Sequence, residues 1–255
     1  MIALVTGASG GIGLELARLF ARDGHDLVLV ARRAEKLAVL ARDLEERYRV
    51  QVRPIRRDLA RPDAPAALFD ECGEVDFLVN NAGFGYRGRF TDAAPGTLAE
   101  MLEVNVTALT QLTRLFLPGM LERNSGRILN VASIAAFQPG PLMAVYYASK
   151  AYVLSFSEAV RAELEVTGVT VTTLCPGPTR SDFADRAGFA RRSLLSRRVM
   201  SAADVAEIGY IGMMEGRGVV IPGSLNRIGA AGARLVPRSL AASFARRIHE
   251  RNRPG

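Results

Sequence analysis

The sequence predicts an α/β fold in which one parallel β-sheet of about seven strands carries helices on both faces. Short runs rich in β-branched residues alternate with longer amphipathic segments along the 255 residues. A glycine-rich turn separates the first such run from the first helical segment. No linker or internal repeat divides the chain, so a single domain over 1–255 is expected.

The predicted elements follow one another in a regular order. The strand "IALVTG" precedes the helix "GIGLELARLFARDG", which ends at Gly24. The strand "DLVLVAR" precedes a helix whose apolar residues recur at helical spacing. Helices are also expected around 98–122 and from about Tyr146. The later strands are "VQVRPIRRD", in which Pro54 suggests an exposed or irregular part, "VDFLVNNAG", "GRILNVAS", "VTVTTLCPG" and "RGVVIPG". This order is typical of a doubly wound, Rossmann-type domain.

Composition excludes several classes of protein. Hydrophobic residues make up 49% and charged residues 23%, which fits a globular rather than a disordered chain. No apolar run is long enough for a membrane-spanning helix, and the N-terminus has no signal-peptide pattern. Cys72 and Cys175 form neither a metal-ligand spacing nor a disulfide framework, so we predict no metal site and a cytoplasmic location.

The positive charge is concentrated in the last third of the chain. The formal net charge is +7, and the segment from Arg180 to the end holds 14 Arg against 6 acidic residues. Solvated surface arginine is the first interpretation, and an anionic partner, an acidic carrier or a membrane surface is the alternative. The arginine-rich stretch 180–201 interrupts the strand–helix alternation beyond the sixth strand, where a substrate lid is expected.

The C-terminal tail, 235–255, is amphipathic and basic. We expect it to dock on a neighbouring subunit of a homodimer or homotetramer, with attachment to an anionic membrane surface as the second interpretation. No nucleic-acid partner is predicted.

The glycine-rich turn "TGASGGIG" predicts a dinucleotide site. Gly7 permits a tight turn, Gly11 lets the backbone approach a pyrophosphate, and Gly13 allows close packing of helix on strand. The turn lies between a strand and a helix within the first βαβ unit, as such a site requires.

The end of the second strand predicts a preference for NADP(H) over NAD. Sites that bind NAD usually carry an acidic residue there, but this chain has Arg32 and Arg33, with no carboxylate before Glu35. A guanidinium can bind a 2′-phosphate through two hydrogen bonds, and Ser9 can add a hydroxyl donor.

A candidate catalytic set follows the fifth strand. Ser133 lies at its carboxyl end, with Tyr146 thirteen residues later and Lys150 four beyond that. Positions four apart share a helix face, so Tyr146 and Lys150 point the same way, whereas Tyr147 points aside. Reduction of a carbonyl by hydride needs a proton donor, and a nearby ammonium should lower the high pKa of a tyrosine. Ser133 can hydrogen-bond the same substrate oxygen.

These motifs together resemble those of the short-chain dehydrogenase/reductase family over essentially the whole chain. The glycine turn matches the family's TGxxxGxG, 80–83 its NNAG, and Ser133 with Tyr146 and Lys150 its serine and YxxxK. The resemblance implies a nicotinamide-dependent oxidoreductase in which Lys150 also holds the ribose and Asn105 joins a proton relay through water. The residues and the resemblance together predict these cofactor contacts: Gly7, Ser9, Gly11, Ile12, Gly13, Arg32, Arg33, Asp58 at the adenine, Asn81, Ala82, Gly83, Tyr146, Lys150, Pro176, Gly177 and Thr179.

Two sets of residues in the site keep alternatives open. The family threonine after the proline–glycine pair falls on Thr179 or Ser181, of which Thr179 is the first choice. Aromatic and other side chains near the catalytic pair are candidates for a substrate pocket: Phe84, Tyr86, Phe137, Gln138, Met143 and Tyr147.

Three functional hypotheses follow. The first is an NADP(H)-dependent enzyme acting on a small carbonyl/alcohol pair. The second is reduction of a 3-oxoacyl thioester on an acidic carrier protein that meets Arg191 and Arg192. The third is a dinucleotide-sensing protein without catalysis, which the presence of the full catalytic set disfavours.

Overall fold

The computed structural model describes residues 1–180 and 199–251. The interior of the predicted lid, including Ser181, Arg191 and Arg192, lies outside the described residues, as do residues 252–255 at the end of the tail. Within the described ranges, no helix is both long enough and apolar enough to cross a membrane.

The strands form one large and one small parallel sheet. They are β1 (Ile2–Thr6), β2 (Asp26–Ala31), β3 (Val52–Arg56), β4 (Phe77–Asn80), β5 (Gly126–Val131), β6 (Val169–Leu174), β7 (Thr179–Arg180), β8 (Met200–Ser201) and β9 (Val219–Val220). The large sheet has seven strands in the order β3-β2-β1-β4-β5-β6-β9, and every pair is parallel. The predicted Rossmann-type fold is confirmed.

The helices cover both faces of this sheet. They are α1 (Gly11–Arg22), α2 (Ala34–Tyr48), α3 (Ala64–Cys72), α4 (Pro95–Leu102), α5 (Leu109–Glu122), α6 (Ala144–Glu163), α7 (Ala202–Met214), α8 (Ser224–Leu235) and α9 (Arg238–Arg251). One hydrophobic cluster joins the sheet to α1, α2 and α7, and a second joins it to α3 and α5. The strands are therefore buried on both sides, which explains their nearly continuous apolar sequences.

The topology brings the predicted site to one edge. The chain turns outward from β1 through β2 to β3, and then returns to β4 on the other side of β1. Strand order therefore reverses between β1 and β4, where a doubly wound sheet has its ligand crevice beyond the carboxyl ends of the strands. The glycine turn, NNAG, Ser133 and the proline–glycine pair follow β1, β4, β5 and β6 at this same edge.

The structure departs from the sequence expectations in two places. The helix expected around 98–122 is divided by a π-helical segment, Glu103–Ala108, between α4 and α5. The lid was expected to lack strands, but both its ends pair, with Thr179 opposite Met200 and Arg180 opposite Ser201. The strand with Pro54 lies at the outer edge of the sheet, as its proline predicted.

Candidate active site

The turn after β1 packs closely against the turn after β4. Gly7 has a φ of 68°, and a Cβ added there would lie 2.7 Å from the Asn81 amide nitrogen. A Cβ on Gly13 would lie 2.6 Å from the Gly7 carbonyl oxygen. Gly11, with a φ of 58°, begins α1, and no side chain caps that helix end. The helix N–H groups at this end are thus not taken up by a capping side chain, as a pyrophosphate site needs.

Thr6 and Asn81 connect these two turns. The Thr6 hydroxyl accepts hydrogen bonds from the backbone N–H of Asn81 and of Ala82, both at 3.0 Å, and donates to the Val79 carbonyl. The Asn81 amide donates to the Thr6 carbonyl at 2.8 Å. Thr6 and Asn81 therefore hold the turn after β1 against the turn after β4. The sequence did not indicate this role for Thr6.

Arg33 lies against the glycine turn. Its Nε donates to the Ser9 Oγ at 3.2 Å, and its Nη2 donates to the Ser9 Oγ and to the Ser9 carbonyl, both at 3.1 Å. The guanidinium and the hydroxyl that were predicted to bind a 2′-phosphate are thus brought together, although their positions come from separate parts of the chain.

Arg32 lies beside the residue predicted to contact adenine. Its Nη1 is 3.9 Å from an Asp58 carboxylate oxygen, and both side chains are about half exposed. The other Asp58 oxygen accepts from the Ala60 N–H at 3.1 Å, which fixes the carboxylate in the turn after β3. The structure therefore brings together Arg32 and Asp58, two of the residues predicted to contact the adenosine part of the cofactor.

Gly83 leaves room for two polar side chains at the centre of the site. A Cβ on Gly83 would lie 3.0 Å from the Asn105 Oδ1 and 3.4 Å from the Lys150 Nζ. A Cβ at position 83 would therefore crowd the Asn105 Oδ1 and come into contact with the Lys150 Nζ, which gives the glycine of the NNAG element a packing reason.

Ser133 and Tyr146 form a hydrogen-bonded pair. Ser133 has extended backbone after β5, and its Oγ accepts from the Ala135 N–H at 3.1 Å. Burial raises the pKa of Tyr146 to about 12, and the hydrogen bond with Ser133 opposes that rise. The phenol is therefore protonated at neutral pH when only protein groups surround it.

Lys150 is buried one turn further along α6. Only 5% of the residue is exposed, and its Nζ donates to the Val131 carbonyl at 2.8 Å. The Nζ lies 6.0 Å from the centre of the Tyr146 ring. Burial lowers the pKa of Lys150 to about 8. Lys150 was expected to lower the pKa of Tyr146. In the protein alone, burial of the phenol has the larger effect, and the pKa of Tyr146 rises.

Asn105 lies in the π-helical segment and is almost fully buried. Its Oδ1 accepts from the Phe84 N–H, and its Nδ2 donates to the Phe84 carbonyl, both at 3.0 Å. The same Nδ2 donates to the Ser149 Oγ at 3.1 Å, and Ser149 donates to the Tyr146 carbonyl at 2.7 Å. The side chain therefore ties the loop after NNAG to the helix that carries Tyr146. Such π-turns are frequent at functional sites.

The proline–glycine turn lies behind the serine. The Pro176 carbonyl accepts from the Ile134 N–H at 2.9 Å and from the Ser133 hydroxyl at 3.4 Å. A Cβ on Gly177 would lie 2.6 Å from the Asn226 Oδ1, so α8 closes on this turn. Thr179 donates its hydroxyl to the Gly177 carbonyl at 2.9 Å.

Apolar side chains surround the tyrosine. Buried Met101, Ala135 and Met143 pack around Tyr146, with Phe84, Tyr86, Leu98, Val145 and Tyr147 partly buried beside them. The Tyr147 ring meets the Tyr146 ring edge-on. Burial raises the pKa of Tyr147, and a hydrogen bond with Gln138 opposes that rise. Phe137 belongs to a different cluster. A small cavity of about 30 Å³ opens among Tyr86, Gly88, Phe90, Ala93, Leu98, Met101, Leu142, Met143, Ala144 and Val145.

A comparison with family models decides the family. The model described as short chain dehydrogenase matches residues 1–190, which is well over half of the chain. The chain belongs to the short-chain dehydrogenase/reductase family. Its TGxxxGxG, NNAG and YxxxK elements are thus those of a family member.

Known relatives of this short-chain dehydrogenase/reductase have varied names. An uncharacterized oxidoreductase of Staphylococcus epidermidis is 31% identical over 80% of this chain and 89% of its own length. A very-long-chain 3-oxoacyl-CoA reductase of Anas platyrhynchos is 37% identical over 68% of this chain, but over only 58% of its own length.

Solved structures of the family include both cofactor forms. A short-chain dehydrogenase from Sphingobium yanoikuyae in complex with NADPH is 33% identical, covers 92% of this chain and 93% of its own, and has a TM-score of 0.82. A short chain dehydrogenase/reductase from Burkholderia phymatum in complex with NAD is 28% identical, covers 90% and 91%, and has a TM-score of 0.80. Similarity alone therefore leaves the choice between the two cofactors open.

Three side chains of this site make contacts that motif spacing does not predict. Thr6 joins the turns after β1 and β4, Ser149 joins Asn105 to α6, and Asn226 of α8 packs on Gly177. Thr6 and Ser149 lie inside the matched motifs, where their neighbours drew the attention. Asn226 is far away in sequence, and no spacing rule points to it.

Proposed function

We propose that this chain is an NADP(H)-dependent oxidoreductase that interconverts a carbonyl and an alcohol, with Tyr146 as the general acid/base. The observation that carries the proposal is the hydrogen-bonded Ser133–Tyr146 pair with buried Lys150 beside it, at the carboxyl edge of the sheet. Belonging to a family of oxidoreductases supports the same reaction class.

Tyr146 is suited to donate a proton in the reductive direction. Because burial keeps its hydroxyl protonated, the phenol can hydrogen-bond a substrate oxygen and give it a proton as charge develops there. The Ser133 hydroxyl orients the same oxygen. The nicotinamide cofactor, when bound, supplies or accepts the hydride.

Lys150 and Asn105 support the proton's path. A lysine whose pKa is about 8 exchanges protons near neutral pH far more readily than an exposed one, and as an ammonium it favours the tyrosine phenolate. Asn105 holds Ser149 and the Phe84 backbone, so it positions α6 and the adjacent loop around this lysine. The Asn105 amide is thus a positioning group, and proton relay to Lys150 through water stays a prediction.

The cofactor preference rests on Arg33 and Ser9. Their three hydrogen bonds pre-form a cationic, donor-rich corner at the end of β2, where an NAD site would have a carboxylate. A 2′-phosphate would replace the Ser9 oxygens as the acceptor of these N–H groups. The residues that would hold the cofactor are Gly7, Ser9, Gly11, Ile12, Gly13, Arg32, Arg33, Asp58, Asn81, Ala82, Gly83, Tyr146, Lys150, Pro176, Gly177 and Thr179.

The wall around Tyr146 favours a substrate with an apolar chain or ring next to its carbonyl. Met101, Met143 and Leu98 offer no charged partner to a polar substrate. An apolar ketone or a 3-oxoacyl thioester fits this wall, and the name of the Anas platyrhynchos relative supports the thioester. The role of Arg191 and Arg192 toward an acidic carrier, and assembly as a homodimer or homotetramer, stay predictions.

The test is an NADPH-oxidation screen over ketones, aldehydes and acyl thioesters, with the Tyr146→Phe protein as control. We expect turnover of at least one apolar carbonyl class that Tyr146→Phe abolishes. NADPH binding without turnover of any class would instead identify a dinucleotide-sensing protein. Turnover that persists in Tyr146→Phe would refute the proposed mechanism.

A further inference from the structure

The last two helices carry an exposed apolar surface that the proposed reaction does not use. Four large side chains on α8 and α9 are between 59% and 69% exposed, and we call them the C-terminal apolar surface: Leu225, Ile228, Leu240 and Phe244. Scattered exposed apolar residues are common, but these occur in pairs three and four residues apart, on one side of each helix.

Each helix is two-sided. On α8, Ala230 is buried, whereas a Cβ added to Gly229 or Gly232 would meet nothing within 4 Å, so these glycines extend the open face of Leu225 and Ile228. On α9, Ala241 and Ala245 are buried, whereas Leu240 and Phe244 are 61% and 63% exposed. Among the described side chains of these two helices, the buried ones are thus small and the large apolar ones are exposed, which is the reverse of an ordinary core-packed helix.

Arginine is the dominant charge of this region. From Ser224 to the end, the sequence has seven Arg and one acidic residue, Glu250, so about six of the seven net positive charges of the whole chain lie here. Arg227, Arg238, Arg246 and Arg247 are exposed. Arg247 is three residues after Phe244 and seven after Leu240, which places it on their side of α9.

We propose that the C-terminal apolar surface docks on an anionic lipid bilayer. Exposed Leu, Ile and Phe beside arginines with almost no acidic residues is the pattern of a helix that lies in a membrane interface. A twofold contact between identical copies would place this surface against itself and bring its arginines together, which opposes self-docking by charge. The charge therefore favours an anionic surface over a second copy of the chain.

Docking would also orient the candidate active site. Asn226, next to Leu225, packs on Gly177 behind Ser133, so α8 lies beside the catalytic groups. A bilayer held at α8 would bring apolar molecules dissolved in it close to the apolar wall around Tyr146. Docking itself does not depend on the proposed reaction.

Co-sedimentation with lipid vesicles tests the proposal. The full chain should pellet with phosphatidylcholine vesicles that contain about one third phosphatidylglycerol, and about tenfold less with pure phosphatidylcholine. Raising the salt from about 0.1 M to about 0.5 M should weaken binding because surface charge is screened. Leu240→Ser/Phe244→Ser and Arg238→Glu/Arg247→Glu should each weaken it at least about tenfold.

Matched variants on α2 control for the change of chemistry. Val39 is 66% exposed, as Phe244 is 63% exposed, and Arg42 is exposed as well, so Val39→Ser and Arg42→Glu should leave vesicle binding unchanged. Far-ultraviolet circular dichroism and thermal unfolding check that each variant is folded. Absence of binding to anionic vesicles would overturn the proposal. If the protein does not bind vesicles and analytical ultracentrifugation shows that Leu240→Ser/Phe244→Ser dissociates an oligomer, the surface docks on a second copy of the chain instead.

Discussion

Replacing Lys150 by methionine should make the protein more resistant to unfolding in a pH-dependent way. Burial lowers the lysine pKa from 10.5 to about 8, so the folded state holds its charge less favourably than the unfolded state does. Each tenfold change in proton affinity corresponds to about 1.4 kcal/mol, so keeping Lys150 charged at pH 7 costs the fold about 3 kcal/mol. Methionine has a similar length and carries no charge, but leaves the Val131 carbonyl without its donor.

The sign of the pH dependence is the clearest readout. Between the folded pKa of about 8 and the unfolded value of 10.5, the unfolded state binds more protons, so wild-type stability gains from this group as the pH rises. The gain should be about 2 kcal/mol between pH 7 and about pH 9.5 relative to Lys150→Met, which lacks the group. Tyr146 adds little in this window, because its pKa is 10.0 in the unfolded chain and burial raises it to about 12 in the folded one.

Urea unfolding at matched protein concentration measures this difference. Lys36→Met is the matched control, because Lys36 is the other lysine of the chain and lies exposed on α2. It should leave the pH dependence of stability as in the wild type. Parallel stability curves for wild type and Lys150→Met from pH 7 to 9.5 would show that Lys150 is not destabilised by burial, and would refute this reasoning.

Three further predictions concern the rest of the site. Arg33→Ala should weaken NADPH binding about 10- to 100-fold and leave NADH binding nearly unchanged, because it removes charged donors to the 2′-phosphate. Titration calorimetry measures both affinities, with Arg42→Ala as the control variant. Equal losses of affinity for both cofactors would contradict this prediction. Ser149→Ala should lower kcat about fivefold with the KM for NADPH unchanged, because it removes the hydroxyl that accepts from Asn105. The control is Ser157→Ala on the same helix, which removes a buried hydroxyl that accepts from Asn130 of β5 and should affect stability but not kcat. Similar kcat values for both variants would count against the Asn105 link. Gly13→Ala should destabilise the fold by about 2 kcal/mol in urea unfolding and weaken NADPH binding, since the added Cβ would meet the Gly7 carbonyl. The control is Gly96→Ala, whose Cβ would meet no atom within 4 Å and which should be neutral. A stable Gly13→Ala protein that binds NADPH normally would contradict the close packing.

The sequence predicted the sheet because its signals are local. β1 and β5 are short apolar runs followed by a glycine turn and by Ser133, and a parallel sheet places such strand ends at one edge whatever the details of packing. The spacing of Tyr146 and Lys150 likewise needs only a helix. These parts depend on periodicity, which a single sequence displays directly.

The remaining features depend on contacts between distant segments. No feature of the local sequence predicts the π-helical segment at Asn105. The hydrogen bonds of the Asn105 side chain with Phe84 and Ser149 explain why it is there. The packing of Asn226 on Gly177 joins residues that lie far apart in the chain. The raised pKa of Tyr146 has the same origin, because the extent of burial is a property of the folded molecule and not of the YxxxK motif.

Comparing the hydride-transfer rates of Tyr146→Phe and Tyr147→Phe tests whether Tyr146 is the proton donor. The two tyrosines are adjacent and their rings meet edge-on, but the Tyr146 hydroxyl is hydrogen-bonded with Ser133 and the Tyr147 hydroxyl with Gln138. In single turnovers at saturating NADPH with a substrate from the screen, Tyr146→Phe should lower the rate at least about 100-fold, and Tyr147→Phe should change the rate by less than about tenfold. A Tyr146→Phe rate close to the wild-type rate, or an equal loss in both variants, would contradict the assignment of Tyr146 as the proton donor.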